Sequence, residues 1–432
     1  MKEIYERELL GELKKWAGRR EIFAIKGPRQ SGKTTLLKIL AEWLENERGV
    51  NPKNIVFLTF EDKEILEKFT MAPKEFVKSF VEREGERYYF LLDEFHYVKD
   101  GGQKLKLLYD TMENSKFIIT GSSSLEIIAL SKFLVGRVFS FHLFPFNLHE
   151  FLNAKDKRIA KVRKEKSDAL KNFILEGKEF KFGKDIFLGD VLKFFEEYAI
   201  FGGYPEAIKG ENAEAKRMVL KNIYETYIGR EIVELLRIPD IFKFRKLVSL
   251  LSSQAGSLIN YSQLALACDS YYKEITGLLN VLEETYVIKL VRPFHKNIRT
   301  ELRKNPKVYF IDLGLRNYAV NNFNGLEPRS DRGTLVENYA FLALFNLVKD
   351  FGKVNYWRTL GKAEVDFVLS IGEEVVPVEV KYSSFKEPKI SRSFRSFLAT
   401  YRPSRGVVLT KNFWGELKIS GTKVKFVPAC YL

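Results

Sequence analysis

Cysteine is nearly absent from this chain, with two residues, Cys268 and Cys430, in 432. Neither stands at ligand spacing from a second cysteine or a histidine. That excludes a disulfide framework and a zinc finger, and it fits a reducing, cytoplasmic setting. Histidine, methionine and tryptophan number four each. Long apolar runs are missing too: none approaches the roughly 20 residues that a membrane helix needs, so no membrane partner is expected. The opening MKEIYERELLGELKKWAGRR is charged throughout and has no signal-peptide core. Positive charge, by contrast, is in excess, at 71 Lys and Arg against 56 Asp and Glu, a net charge of +15. Such an excess favours an anionic partner, nucleic acid or an acidic surface. Plentiful Lys and Glu with scarce Gln, Cys and Met is a bias seen in hyperthermophile proteins.

The length suggests roughly two to four domains. Up to about residue 150, short apolar runs alternate with helical patterns. The runs are IFAIKG (22–27), NIVFLTF (54–60), YYFLLDE (88–94), KFIITGS (116–122) and RVFSFHLF (137–144). Continuous apolar runs between helices predict an α/β domain with a buried parallel sheet. Residues 155–184 carry eleven Lys or Arg against five acids, which reads as a basic helical insertion or a solvated linker. FGGYP (201–205) is a glycine-rich turn. From about 215 to 300 the pattern is mainly helical, then a strand, with Ser262 and Ser270 as candidate N-caps. This fits a winged-helix-like module, with a three-helix bundle as the alternative. Arg292 to Lys307 holds six Lys or Arg and one Glu where a wing would lie. Beyond 300, helix, three strands, helix and strand predict a small α/β domain. The expected boundaries are 1–205, with 155–190 as the insertion, then 206–300 and 301–432.

GPRQSGKT (27–34) follows the strand IFAIK and opens the helix TLLKILAEWLE. This is the P-loop pattern in its required context, and it implies ATP and Mg²⁺ as cofactors. Gly27, Pro28, Arg29, Gln30, Ser31, Gly32, Lys33, Thr34 and Thr35 would wrap the phosphates with backbone amides at a helix start. Lys33 is expected on the β- and γ-phosphates and the Thr34 hydroxyl on Mg²⁺. YYFLLDE ends a strand in two acids: Asp93 for the magnesium shell, Glu94 to orient and activate the attacking water. Thr120 or Ser122 is a candidate γ-phosphate sensor or an ordinary turn residue. Arg137, in LVGRV, is a candidate for neutralising transition-state charge in cis or across a subunit interface, or a plain surface arginine. His96 and His149 lack partners at metal spacing and receive no role.

The P-loop, the D-E pair, the T-G-S strand end, G-R, FPFNLHEF and FGGYP together resemble a group of archaeal and bacterial AAA+-type ATPases. Those carry a C-terminal domain described as of unknown function or as restriction-endonuclease-like. The resemblance extends over YETYIGREI (224–232) and VYFIDLGLRN (308–317). It implies ATP binding, a winged-helix-like middle and action on nucleic acid, with DNA favoured over RNA. It leaves open whether the chain works as a monomer or a homo-oligomer.

The stretch EVDFVLSIGEEVVPVEVK (364–381) alternates apolar and polar residues and carries Asp366 and the Glu-x-Lys pair Glu379 and Lys381. Positions two apart on a strand share a face, so Glu379 and Lys381 project together. A turn at Gly372 would bring Asp366 towards Glu379, with Val365, Phe367, Leu369 and Ile371 on the opposite, apolar face. Glu337, on the preceding helix, is a candidate fourth member. Helix acid, strand acid, then E-x-K is the core order of PD-(D/E)XK nucleases, which hold metal on two acids and stabilise charge with the lysine. Asp366 and Glu379 are then the metal ligands. The other reading is an ordinary hairpin with a solvated face. Arg358 and Lys362 are candidate phosphate contacts or loop charges.

Overall fold

The five apolar runs become five parallel strands: β1 (Ile22–Lys26), β2 (Ile55–Thr59), β3 (Tyr88–Asp93), β4 (Ser115–Gly121) and β5 (Val138–His142). Their order is β2-β3-β4-β1-β5. The computed structural model that shows this describes residues 5–121, 133–181, 185–231, 240–295 and 304–432. β1, β3 and β4 are buried along their whole length, as strands covered on both faces must be. Alternation divides their side chains. Phe90, Leu92, Phe117 and Ile119 pack with Phe69, Leu105 and Leu108. Phe23, Ile25, Leu91 and Ile118 pack with Leu13, Leu36, Leu37 and Leu40. All five strands run the same way, so the P-loop and Asp93 emerge at one end of the sheet.

The chain divides into two compact units, Met1–Phe146 with Glu284–Val287, and Asn147–Glu283 with Ile288–Leu432. This differs from the sequence boundary at 205, because helices Leu148–Lys155, Lys157–Glu176 and Leu188–Phe201 fall in the second unit. The reason lies in the basic run itself. Helix Lys157–Glu176 buries Ile159, Ala160, Leu170, Phe173 and Ile174. Its Arg163 is also buried, with Nε donating to Cys430 O at 2.7 Å. From the C-terminal sheet, Arg405 Nε donates to Ile174 O at 2.9 Å. Residues 157–176 of the run are therefore a docked helix with one charged face, the helical of the two readings, and not a solvated linker.

Helices Ile241–Ser253, Tyr261–Ala267 and Tyr272–Glu284 precede an antiparallel ribbon of β6 (Ile288–Val291) and β7 (Lys307–Phe310). Asn260, not Ser262, caps the second helix, its side chain accepting from Gln263 N at 3.1 Å. Ser270 instead donates to Glu274 Oε2 at 2.6 Å. Most of the expected wing, residues 296–303, lies outside the described residues, as does Ser122. A boundary at 300 would cut this ribbon between its two paired strands. Past β6 the chain joins the next sheet, with Phe294 N donating to Tyr356 O at 2.5 Å and Tyr356 N to Arg292 O at 3.2 Å.

The C-terminal sheet contains β8 (Gly352–Arg358), β9 (Glu364–Ile371), β10 (Glu374–Val380), β11 (Arg405–Thr410), β12 (Gly415–Ile419) and β13 (Thr422–Pro428), in the order β12-β13-β11-β10-β9-β8. Helix Arg392–Tyr401 packs Phe394, Phe397 and Leu398 on Val365 and Val368. Helix Arg332–Val348 supplies Phe341, whose ring lies against Tyr309 and Phe367.

FGGYP and VYFIDLGLRN meet in the second unit. Asp312 Oδ2 accepts from Gly203 N at 2.8 Å and Oδ1 from Leu315 N at 2.9 Å. Asn317 Nδ2 donates to Ala199 O and Ile200 O, both at 2.9 Å. These polar groups satisfy the buried end of helix Leu188–Phe201, where unpaired carbonyls would be costly. Burial pushes the Asp312 carboxyl up to about 6, although backbone N–H groups of Gly203, Leu315 and Gly314 favour its ionised form. The folded value lies above the unfolded one of about 4. Its stabilisation is therefore full below about pH 4 and lost as pH rises through about 6, an effect of about 3 kcal/mol. Asp312→Asn keeps an acceptor without the charge. The urea midpoint should vary less between pH 4 and pH 7 in that variant than in the wild type, and parallel profiles would count against this assignment.

Candidate functional site

In the first unit the P-loop wraps closely because glycine permits it. A Cβ on Gly27 would sit 2.1 Å from Leu143 O, and Gly32 has φ +97°, a region that side chains disfavour. Arg7, from the N-terminal segment, braces the loop. Its Nη1 donates to Ser31 O at 2.7 Å and its Nη2 to Phe144 O at 2.6 Å. Lys33 Nζ bends back over the loop, donating to Gly27 O at 3.1 Å and Pro28 O at 3.0 Å. Ser31 Oγ is buried and has no hydrogen-bond partner among the described residues. Backbone amides at the start of helix Lys33–Asn46 and the Lys33 ammonium would suit a phosphate here.

Asp93, buried at the end of β3, accepts from Thr34 Oγ1 at 2.8 Å and from Thr120 Oγ1 at 2.5 Å. Glu94 follows with φ +50°, held there by its own N–H donating to Thr120 Oγ1 at 3.0 Å. Its Oε2 lies 3.0 Å from His96 Nδ1. Burial raises the Glu94 carboxyl, but His96 and the charges of Lys33 and Arg29 outweigh it and hold the group down at about 2. The set of hydroxyl, two carboxylates and ammonium suits a magnesium–triphosphate. Thr34 and Asp93 could hold the cation, which would supply neutralising charge at the phosphates.

Arg137 is elsewhere. It precedes β5, whose Val138 pairs with Ile22 at the start of β1, whereas the P-loop leaves the far end of β1. Its Nε donates to Asp110 Oδ1 at 3.1 Å. The structure thus does not bring Arg137 to the phosphate seat of its own chain. Arg137→Ala should leave ATP turnover unchanged in dilute protein. A fall appearing only as the protein is concentrated would place it at a neighbouring chain's site.

In the second unit Asp366 and Glu379 come together. β9 and β10 form a hairpin through Gly372, at φ +59°, and their ladder runs to the pair Val378–Phe367. The next pair in that register is Glu379 and Asp366. Asp366 Oδ2 accepts from Val380 N at 2.7 Å. Glu379 is buried; its Oε1 is 3.3 Å from Lys381 Nζ, and its Oε2 has no partner among the described residues. The faces differ from simple alternation. Between Asn355–Val368 and Trp357–Val365 the register shifts, so that Asp366 and Phe367 both oppose Tyr356. This β-bulge sends Val365 and Val368 to one face and Phe367 to the other, re-aiming side chains as bulges do. Burial and the Glu337 charge raise the Asp366 carboxyl, while Lys307 opposes them.

Glu337 is close but engaged. Its Oε1 accepts from Tyr309 OH at 2.6 Å and from Lys307 Nζ at 3.1 Å. Lys307 Nζ also lies 2.6 Å from Glu364 Oε1, and Glu364 Oε2 accepts from Arg358 Nη1 at 2.8 Å. Burial works against the Lys307 charge, but Glu337, Asp366 and Glu364 together raise its pKa. No group of three or more metal-ligating side chains forms among the described residues. The two neighbouring carboxylates, with the unpaired Glu379 Oε2, still suit one hard divalent cation completed by water or phosphate oxygens.

Comparison with known proteins agrees with the fold of the first unit. Residues 19–152 match the family model described as an AAA domain. The first unit is a P-loop AAA+-type domain. Residues 192–326 and 332–428 match two models described as domains of unknown function, DUF8612 and DUF4143. An uncharacterized protein of Mycobacterium tuberculosis is 24% identical over 407 residues, covering 93% of this chain and 79% of the relative. One of Methanocaldococcus jannaschii is 25% identical over 373 residues, covering 84% and 75%. Among solved structures, a STAND signal-transduction ATPase of Pyrococcus horikoshii is 13% identical and aligns over 80% of this chain and 46% of its own, at a TM-score of 0.28. Drosophila ORC bound to DNA is 13% identical and aligns over 73% and 94%, also at 0.28. No helix among the described residues is long and apolar enough to cross a membrane.

Three residues of these sites escaped the sequence reading. His96, given no role there, sits against Glu94; two residues past a D-E pair was a usable signal. Arg7 gave none, lying 24 residues before its partner Ser31. Lys307 was counted as wing charge, and is buried among carboxylates.

Proposed function

We propose that this chain is a Mg²⁺-dependent ATPase whose second unit acts on nucleic acid, DNA before RNA. The observation that carries the reading is the Thr34–Asp93–Thr120 chain beside Lys33 and Glu94. In this account Lys33 leaves the carbonyls of Gly27 and Pro28 for the β- and γ-phosphates. Thr34 and Asp93 hold the magnesium ion, and Glu94 orients water. The net charge of +15 and the helix–helix–helix–ribbon order, read as a winged helix, support a nucleic-acid partner. Helix Tyr272–Glu284, in the place of a winged helix's recognition helix, carries Glu274, Glu283 and Glu284 against Lys273, and Glu274 pairs with Lys243 of helix Ile241–Ser253 at 3.3 Å, so contact through ribbon and phosphates is favoured over base reading. The C-terminal domain is read as restriction-endonuclease-like, with Asp366 and Glu379 holding a divalent cation and Lys381 stabilising charge at the scissile phosphate.

A second reading has a specific observation behind it. Lys307 already neutralises Glu337 and Glu364, as in a nuclease fold kept for binding. The chain would then be a nucleotide-gated interaction switch. Incubation of duplex DNA with Mg²⁺ or Mn²⁺ and wild type, Asp366→Ala or Lys381→Ala separates the two. Metal-dependent cleavage by wild type alone supports the nuclease. DNA binding without cleavage supports the switch. Equal cleavage by all three removes the carboxylate site from the account.

A further inference from the structure

Two pairs of acids gather where helix Arg332–Val348 meets β9 and β10 of the C-terminal sheet, and they are treated differently. Glu337 and Glu364 share one buried ammonium, with Lys307 Nζ 3.1 Å from Glu337 Oε1 and 2.6 Å from Glu364 Oε1. Tyr309 OH adds a hydrogen bond to the same Glu337 oxygen at 2.6 Å. Asp366 and Glu379 make no ion pair with Lys307 among the described residues. Asp366 accepts a backbone N–H, and Glu379 Oε2 is buried without a partner.

Lys307 comes from β7, the ribbon strand, so the middle of the chain supplies a charge to the carboxylates of the C-terminal sheet. β7 cannot easily withdraw it. The strand is buried throughout and is paired with β6 from Lys307 to Phe310. Gly256, at φ +74°, donates its N–H to Val308 O at 2.8 Å, and a Cβ there would stand 3.3 Å from Glu337 Oε1. The ammonium and Glu337 are therefore closed in from several sides.

Two-metal phosphodiester sites hold their ions about 3.5–4 Å apart and need enough carboxylate oxygens for both. Here the acids beyond Asp366 and Glu379 are already neutralised by a cation on a fixed side chain. We propose that Lys307 takes the place of a second metal ion, so that this site binds a single divalent cation, on Asp366 and Glu379. The inference rests on reading that pair as a metal site, and it adds the stoichiometry and the residue that sets it. An ammonium gives fixed charge without exchange. It cannot activate a water as a metal does, so it serves as a positioning residue for Glu337 and Glu364.

The test is Mn²⁺ binding to the full chain without nucleotide, counted by equilibrium dialysis and followed by electron paramagnetic resonance. Asp366→Asn gives the baseline, which subtracts any ion held at the P-loop. Wild type should bind one Mn²⁺ more than the baseline, with the spectrum of an isolated ion. Lys307→Met, which frees Glu337 and Glu364, should bind two more, with the spectrum of a coupled pair. Two additional ions in wild type, or a coupled spectrum there, would overturn the inference while the metal-site reading stands. So would a folded Lys307→Met that still binds one. Equal binding by wild type and Asp366→Asn would defeat the metal-site reading, and the inference with it. Where Lys307→Met does not fold, the wild-type count and spectrum decide alone.

Discussion

Glu94→Gln should abolish steady-state ATP turnover while nucleotide binding survives. The phosphate seat is built from other groups: the amides at the start of helix Lys33–Asn46, Lys33 and the Thr34–Asp93 pair. The amide replaces the carboxylate without changing its size, so the loss falls on the attacking water. A positioned carboxylate of this kind is worth about 10²–10⁴-fold in rate. In the proposed role Glu94 acts as a charged carboxylate. With His96 at 3.0 Å and Lys33 and Arg29 nearby, its carboxyl is held at about 2 despite burial. The sign is testable. A depressed value keeps Glu94 ionised from neutral pH down towards about 2, so an acid limb in the pH–rate profile near pH 5 or 6 must belong to another group. Single-turnover assays with fluorescent ATP separate binding from hydrolysis. A variant that neither binds nor hydrolyses would show that Glu94 shapes the seat itself.

Gly314→Ala should unfold the second unit at ordinary temperatures or lower its melting point by many degrees. A Cβ at Gly314 would meet Phe201 O at 2.2 Å and Phe201 C at 2.6 Å, and both are backbone. No rotamer change relieves such a contact. Gly202 faces the same junction from the other side, at φ +72°, where a Cβ would stand 2.4 Å from Asp312 Oδ1. Overpacking costs about 1–3 kcal/mol when side chains can move, and more when they cannot. Here the helix Leu188–Phe201 would have to withdraw, leaving Asp312 and Asn317 buried without their partners. A loss above 3 kcal/mol is a large share of the stability of any domain. Calorimetry on Gly314→Ala beside Gly333→Ala, where no atom lies within 4 Å, measures the difference. Equal melting points would refute the close packing of this junction.

What the sequence made legible was local. The P-loop, the D-E pair and the five strands depend on contiguous residues, and the parallel direction of the strands, though not their order β2-β3-β4-β1-β5, follows from helices between apolar runs. Asp366 and Glu379 were also within reach, because one short turn sets their register. Three readings needed contacts that no local pattern carries. Alternation in EVDFVLSI put Val365 and Phe367 on one face, but a single extra residue opposite Tyr356 separated them. Charge density left residues 155–184 open between a helical insertion and a linker, and the contact that decides for the helix, Arg163 on carbonyls 267 and 269 residues away, is not local. Arg137 was weighed by its motif alone. The direction of β5 relative to β1 carries it to the opposite end of the sheet from the phosphates.

ATP turnover with and without duplex DNA, by wild type beside Lys33→Ala, tests the central claim most directly. Wild type should release phosphate in the presence of Mg²⁺, faster when DNA is added. Lys33→Ala should release none above background under either condition. Equal rates in the two proteins, or no turnover by wild type with or without DNA, would contradict the account.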